Sequence, residues 1–520
     1  MKKLPIGIQT FRKMHEGNHC YADKTPLIAK LADSGGAYFL SRPRRFGKSL
    51  LIDTLAEAFL GNQDLFSGLW LENNWDWEHK HPVVKLDFAG GVLQTADSLE
   101  LTLLARLKEN ADGYGLTLEN EGVHLRLHEL IAKLHEATGE RVVVLIDEYD
   151  KPILDNLEKP EIAVQMREGL RNFYSVLKGQ DAHLRFVMLT GVSKFSKVSL
   201  FSGLNNLNDI TLDPRYATLC GYTQSELETV FSEHLDGVDL DEVRHWYNGY
   251  NFLGESVYNP FDVLLYLDRK IFRSYWFETG TPTFLIDMIR ERGYAMPQIH
   301  EMRIAEETLE IFDVDQIALE ALLFQTGYLT IQSHRQGPGG LLDTLGYPNH
   351  EVAHSLPHAF LNAHTPSAQP IGRLSETLFN ALEQNRPERL ESAFHAFFAA
   401  IPHNWYRKNK LSEYEGYYAS LVYCAFASLG VKVIPEDVTN RGNIDLTVRW
   451  QNVVFVLEFK MVEPGSPTGS ALVQIRERCY AEKYQAPETS VSLIGMEFDQ
   501  KKRNLCGFEY EKSKEVTNDQ

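Results

Sequence analysis

The sequence predicts an α/β protein of more than one domain. A parallel sheet with flanking helices comes first, a mostly helical middle region follows, and a smaller α/β unit closes the chain. Three observations carry this reading. Short, nearly continuous apolar runs alternate with amphipathic stretches in the N-terminal third. From about Leu240 the texture turns to helices rich in aromatic residues, and from about Leu411 a helix–strand–strand–helix–strand pattern returns. At 520 residues the chain exceeds what one core ordinarily serves, so roughly two to four domains are expected. The expected boundaries are 1–235, 236–404 and 405–520.

The elements follow in order. "GAYFLS" (Gly36–Ser41) reads as a strand, and "KSLLIDTLAEAFLG" as an amphipathic helix ending at Gly61. "PVVKLDF" (Pro82–Phe88), "RVVVLID" (Arg141–Asp147) and "LRFVMLTG" (Leu184–Gly191) are three further strands. Apolar on both faces and separated by helical patterns, they predict a parallel sheet covered on each side. In the middle, "VRHWYNGYNF" and "YNPFDVLLYL" are helical. "DQIALEALLFQTGYLTIQ" and "GLLDTLGYPNHEVAHS" form a helix and hairpin around the turn-forming "RQGPGG", which fits a winged-helix-like module or a lid. Beyond "HTPSAQP" helices resume to about His403.

Composition excludes several classes. A hydrophobic share of 43% and a charged share of 24% are those of a soluble globular protein. No apolar run approaches the roughly 20 residues of a membrane span, and "MKKLPIGIQTF" has no apolar core of a secretory signal behind its lysines. Five scattered cysteines without a C-x-x-C pair predict reduced thiols in a cytoplasmic protein. A net charge of −19 argues against coating nucleic acid over the whole surface, although the first 60 residues are net basic and a local basic channel remains open.

Two motifs point to a nucleotide. A phosphate loop needs close backbone approach, a helix N-terminus, a lysine for the β/γ-phosphates and a hydroxyl for magnesium. Gly47, Lys48 and Ser49 supply these between a strand and a helix, although Arg42 stands where the generic G-x-x-x-x-G-K-S spacing has glycine. In "VVVLIDEYDKP", Asp147 and Glu148 follow a buried strand. A carboxylate there can hold the ion's water shell, and its neighbour can orient or deprotonate the attacking water. ATP and Mg²⁺ are the expected cofactors. Thr190 and Ser193 after the next strand are candidates for sensing the γ-phosphate. Arg44 and Arg45 can contact phosphates as cis charges or stand as solvated loop arginines.

"PIGIQTF", "YADKTPLIAKL", "FLSRPRRFGKSLL", "IDEYDKP" and "TGVSKFSKVSLFSGLNNLNDIT" together resemble the bacterial AAA-ATPase-like proteins of the P-loop class, and the likeness continues into "WYNGYNF" and "YNPFDVL". The resemblance implies an ATPase core, with the missing first glycine a family trait and Lys48, Ser49, Asp147 and Glu148 in the roles above. Asp23, Lys24 and Thr25 lie in a shared motif and are expected at an adenine-side or loop-bracing contact.

The last segment carries different chemistry. "RGNIDLTVRW" puts Asp445 on a strand, and "NVVFVLEFK" puts Glu458 and Lys460 on one face of the next. Two converging carboxylates bind a divalent ion such as Mg²⁺, and a lysine beside them positions water or stabilises charge on phosphate. Glu415 on a helix is a further metal-ligand candidate, and Gln474 and Tyr480, expected on one helix, are candidates for substrate contact. An E-x-K strand is often only a solvated face, but this strand is otherwise apolar, where an unpartnered charge is costly.

The order Glu415, Asp445, Glu458-x-Lys460, Gln474 and Tyr480 is similar to the PD-(D/E)XK nuclease superfamily, with Asn443 where many relatives carry a basic residue. The resemblance implies a restriction-endonuclease-like fold and an endonuclease or exonuclease. The expectation is an ATP-dependent, Mg²⁺-dependent nuclease acting on DNA, with no membrane partner and with homo-oligomers compatible. The alternative is a nucleotide-dependent switch or scaffold whose nuclease-like domain binds nucleic acid without cutting.

Overall fold

The apolar runs of the N-terminal third pair side by side in register. β1 (Gly36–Ser41), β2 (Val83–Asp87), β3 (Val142–Asp147), β4 (Leu184–Gly191) and β5 (Leu207–Asp209) form one sheet in the order β2-β3-β4-β1-β5, with parallel pairs throughout. All six residues of β3 and five of six in β1 are buried, which is why their sequences show no polar alternation. The helices α1 (Lys48–Phe59), α2 (Ala96–Gly113), α3 (Val123–Thr138) and α4 (Pro160–Ser175) supply the connections. Because β4 lies between β1 and β3, its C-terminal end stands between the loop after β1 and the acidic end of β3. Ligands of open parallel sheets bind at that edge.

The computed structural model describes residues 1–194, 207–278, 283–292, 294–310, 312–313, 316–337, 340–365, 369–402, 415–463, 468–486, 488–499 and 501–512. They fall into two compact units, Met1–Glu278 with Arg303–Asn349, and Thr279–Met302 with His350–Gln520. The stretch 236–404, expected as one middle region, contributes to both. In the first unit it supplies α5 (Pro260–Arg269), α6 (Leu319–Thr326) and the antiparallel pair β6 (Thr330–Gly337) and β7 (Gly340–Gly346). Among the described residues no helix is long and apolar enough to cross a membrane.

The second unit packs α7 (His350–His364), α8 (Gln369–Glu383), α9 (Glu388–Ala400) and α10 (Glu415–Ala427) with a mixed sheet. Its strands β8 (Lys432–Thr439), β9 (Gly442–Trp450), β10 (Val453–Val462), β11 (Ser490–Asp499) and β12 (Asn504–Lys512) lie in chain order. All neighbours are antiparallel except the parallel pair β10–β11, which α11 (Ser470–Glu477) connects. The expected segment has two fewer strands. Both additions, β8 and β12, are edge strands: β8 contains Pro435 and a positive-φ Glu436, and β12 exposes much of its length. Neither carries the apolar signature of a central strand.

Candidate functional site

The loop after β1 is held residue by residue. Arg42 is fully buried, and its guanidinium donates to the carbonyls of Ser41 (2.8 Å), Thr211 (2.9 Å) and Tyr216 (3.2 Å). Its Cζ lies 3.8 Å from the centroid of the Phe252 ring. Burial brings this guanidinium down to about 10, against the pull of Cys220 and Asp209. Pro43 packs flush against the turn after α6, where a Cβ on Gly327 would stand 2.8 Å from the Pro43 Cβ. The Arg44 carbonyl accepts from the Trp276 indole at 3.2 Å, and the Arg45 guanidinium lies 4.8 Å from the Phe261 ring. The side chains of Arg44 and Arg45 themselves are exposed at the lip. Arg42 is therefore a bolt for the loop, and the aromatic stretch after Leu240 is its socket.

Gly47 takes φ 90° immediately before α1, and nothing lies within 4 Å of where a Cβ would be. Lys48 opens the helix, buried, with Nζ donating to the carbonyls of Arg42 and Pro43 at 3.0 Å each. Burial holds its ammonium below the usual lysine range, while Asp147, Glu148 and Asp150 pull it back up. Ser49 follows as the second helical residue, half-buried.

At the end of β3, Asp147 is buried, and its Oδ1 accepts from the Thr190 hydroxyl at 2.6 Å and from the Glu148 N–H at 3.1 Å. Thr190 thus orients Asp147. Glu148 sits at φ 52°, an uncommon conformation for a long side chain, and burial raises its carboxyl above the ordinary range, with Lys48 acting against the rise. Ser193, expected as a phosphate sensor, is engaged elsewhere. Its N–H and hydroxyl both donate at 2.6 Å to Asp150, which is itself buried. Asp150 and the Tyr149 hydroxyl, which donates to the Ser193 carbonyl at 2.9 Å, close the sensor segment onto the acidic turn. Both stand in the quoted "IDEYDKP", but nothing in their spacing shows which loop they grip.

Asp23 and Thr25 brace a loop. Asp23 Oδ1 accepts from the N–H (2.9 Å) and hydroxyl (2.6 Å) of Thr25, and its Oδ2 from the Trp70 N–H at 2.7 Å. The Thr25 hydroxyl also accepts from the Leu71 N–H at 3.1 Å. Lys24 instead pairs with Glu226 at 2.6 Å. The part of "TGVSKFSKVSLFSGLNNLNDIT" at 195–206 lies outside the described residues.

In the second unit the β9–β10 ladder ends at Leu446–Leu457, and the next rung brings Asp445 and Glu458 together. Asp445 Oδ2 accepts the Phe459 N–H at 2.7 Å, replacing the ladder bond. Glu458 is 1% exposed. Burial, then the adjacent Asp445, pushes its carboxyl up to about 8, while Lys460 and Gln474 act against the rise. The Gln474 amide engages Glu458 Oε1, whereas Oε2 is buried with no hydrogen-bond partner. α11 reaches Glu458 because it lies directly on β11, where a Cβ at Gly495 would be 2.6 Å from the Leu472 nitrogen.

Tyr480 does not share a helix with Gln474. α11 ends at Glu477, Cys479 turns to φ 52°, and Tyr480 starts a separate turn with its hydroxyl donating to the Asn443 carbonyl at 2.7 Å. Glu415 opens α10, which packs Tyr418 on Phe498 with ring centroids 4.5 Å apart; the Glu415 side chain lies outside the described residues. A contribution the sequence reading missed is Glu497, one strand over from Lys460 in register. It caps α11 by accepting from the Gly469 N–H (2.9 Å), the Ser470 hydroxyl (2.6 Å) and the Ala471 N–H (3.0 Å).

Comparison with known proteins follows the same division. Residues 5–201 match the model of a family described as predicted AAA-ATPase, and residues 413–508 match the PD-(D/E)XK nuclease superfamily. An "Uncharacterized protein in vnfD 5'region" of Azotobacter chroococcum mcd 1 is 51% identical over 508 residues, covering 98% of each chain. The chain belongs to the AAA-ATPase-like proteins that carry a PD-(D/E)XK nuclease superfamily domain.

The residues of this AAA-ATPase-like chain fit the groups the two families use. Around Lys48 an open glycine, a helix N-terminus and a buried ammonium face the Asp147–Glu148 end, which suits phosphate and a hydrated cation. At Glu458 the orphaned buried carboxylate oxygen beside a second carboxylate is the chemistry of a divalent-cation site. Among the described residues no group of three or more His, Cys, Asp or Glu side chains is placed to hold an ion.

Proposed function

We propose that this protein binds and hydrolyses ATP and uses its nucleotide state to control Mg²⁺-dependent phosphodiester cleavage of DNA by its nuclease-type domain. The observation that carries the reading is the intact Asp445–Glu458 pair, with Glu458 Oε2 buried and unsatisfied. A buried carboxylate oxygen left without a hydrogen-bond partner supports a ligand supplied from outside the protein. When bound, Mg²⁺ supplies Lewis-acid stabilisation of phosphate charge. Asp445 and Glu458 would hold it, Gln474 fixes the Glu458 rotamer, and Lys460 places a positive charge on the same strand. In the first unit Lys48 and the Gly47 backbone would hold the triphosphate, and Ser49 and Asp147 the hydrated ion. Glu148, its carboxyl raised, would take the proton of the attacking water. Thr190 keeps Asp147 in place, and the Arg44 and Arg45 side chains would meet phosphates at the lip.

The test is incubation with DNA and Mg²⁺ or Mn²⁺, with and without ATP, beside Lys460→Ala and Glu148→Gln. Cleavage by the wild type, absent in Lys460→Ala and altered in Glu148→Gln, is expected. No cleavage under any nucleotide condition sinks the nuclease reading. Cleavage unchanged in Glu148→Gln removes the control by hydrolysis. A second reading, a nucleotide-dependent switch or scaffold that binds nucleic acid without cutting, is favoured by the Gln474 amide already occupying Glu458 Oε1. It predicts retention of DNA without turnover in the same assay.

A further inference from the structure

We propose that Arg478, with Arg441, forms a phosphate clamp at the mouth of the Asp445–Glu458 site and grips the backbone of the nucleic-acid strand. The inference rests on the nucleic-acid reading above and names the residues that hold the strand. A chain of net charge −19 needs local cations to bring a polyanion to two carboxylates. Asn443, two residues before Asp445, is uncharged.

The basic residues nearby divide into spent and unspent. Lys483 is tied to the buried Asp437 and donates to the Val438 carbonyl at 2.8 Å, and Arg476 pairs with Glu511 at 2.6 Å. Arg478 differs. Its Nη1 donates to a neutral acceptor, the Arg441 carbonyl, at 2.9 Å, and among the described residues no carboxylate stands within ion-pairing distance of it. Among the described residues the Arg441 guanidinium reaches only Glu482, at 3.5 Å, with both side chains about half exposed, a pair worth little in water. These two guanidinium groups are therefore positioned but not neutralised.

Their place is set by the site itself. Arg441 stands in the turn just before the strand that delivers Asp445, Asn443 lies near that strand's start with its carbonyl bonded to the Tyr480 hydroxyl, and Arg478 docks on the Arg441 carbonyl. Burial raises the Tyr480 hydroxyl above its ordinary range, with Glu458 and Asp445 adding to the rise and Arg478 acting against it. An exposed guanidinium with donors to spare, docked on the turn that leads into the Asp445 strand, suits a phosphodiester oxygen, which it can meet with two parallel bonds.

The test is binding of a fluorescein-labelled DNA duplex to the full chain in EDTA, so that cleavage is absent, titrated across salt. Arg478→Ala is expected to weaken binding about tenfold, as for loss of a charge-assisted bond. It should also reduce the slope of log affinity against log salt by about one; the Arg441/Arg478 double variant should lose about two. Arg478→Lys should retain the slope, and Arg476→Ala, already paired, should behave as wild type. Wild-type affinity and slope in both Arg478→Ala and the double variant overturn the clamp while leaving DNA binding intact. A wild type that retains no duplex even at low salt overturns the nucleic-acid reading itself.

Discussion

Replacing Arg42 by glycine would restore the generic phosphate-loop spacing, and it is expected to damage the site. Arg42→Gly removes a fully buried guanidinium that donates to three carbonyls, those of Ser41, Thr211 and Tyr216 (the last also accepts from the Leu219 N–H at 3.1 Å), and covers the Phe252 ring. A buried acceptor left without a donor costs about 1–3 kcal/mol. The vacated volume costs more, and glycine adds unfolded-chain entropy of roughly 0.5–1 kcal/mol. Against this, the variant no longer desolvates a charge that lacks an ion-pair partner at contact distance, a saving of several kcal/mol at most. The balance is a loss of about 3–5 kcal/mol, large against the roughly 5–15 kcal/mol of a typical domain. In a unit of about 325 residues each kcal/mol lowers the midpoint by about 1.5 °C, so thermal unfolding followed by circular dichroism should show a drop of about 5–7 °C. Because Lys48 Nζ is held by the Arg42 and Pro43 carbonyls, fluorescent-nucleotide affinity should fall as well. A glycine variant as stable as the wild type, with equal or tighter nucleotide binding, would refute the account of Arg42 as the loop's anchor.

Other outcomes follow from the same geometry. Below pH 8 the folded protein keeps a proton on Glu458 that the unfolded chain, titrating near 4.5, has lost, so the folded state binds more protons and its stability falls as pH rises from about 5 to 8. At up to about 1.4 kcal/mol per pH unit the loss is a few kcal/mol. Denaturant midpoints of Glu458→Gln should lack this slope, and Mg²⁺ should raise the wild-type midpoint most at the alkaline end. Lys48→Met should abolish the thermal stabilisation by ATP, which for a wild-type protein at one hundred times its Kd is about 2.7 kcal/mol. Asp23→Asn weakens the brace on Trp70 and Thr25 and should cost about 1–2 kcal/mol by chemical denaturation without changing nucleotide affinity. Glu497→Gln removes the charge from the capping of α11; DNA-cleavage assays should show lowered turnover with DNA affinity retained, since Gln474 loses its fixed approach to Glu458.

The sequence by itself determined the parallel sheet and the placing of Lys48 and of Asp147–Glu148 at its strand ends. It also determined the meeting of Asp445 with Glu458. Each rests on local periodicity: continuous apolar runs mark central strands, and a hairpin register carries one carboxylate opposite another. The edge strands β8 and β12 were not legible, because half-exposed strands lose the apolar signal. The tertiary structure alone decided what the polar residues face. Ser193 reads as a sensor until Asp150 is seen to take both its donors, and Asp23 and Thr25 stand open between an adenine-side and a loop-bracing contact until the Trp70 and Leu71 amides are seen on them. Arg42 looks like a lost glycine until Thr211, Tyr216 and Phe252, some 170 or more residues along the chain, close around it. Hydrogen bonds are made with whatever the fold brings near, and sequence periodicity carries no record of partners so distant.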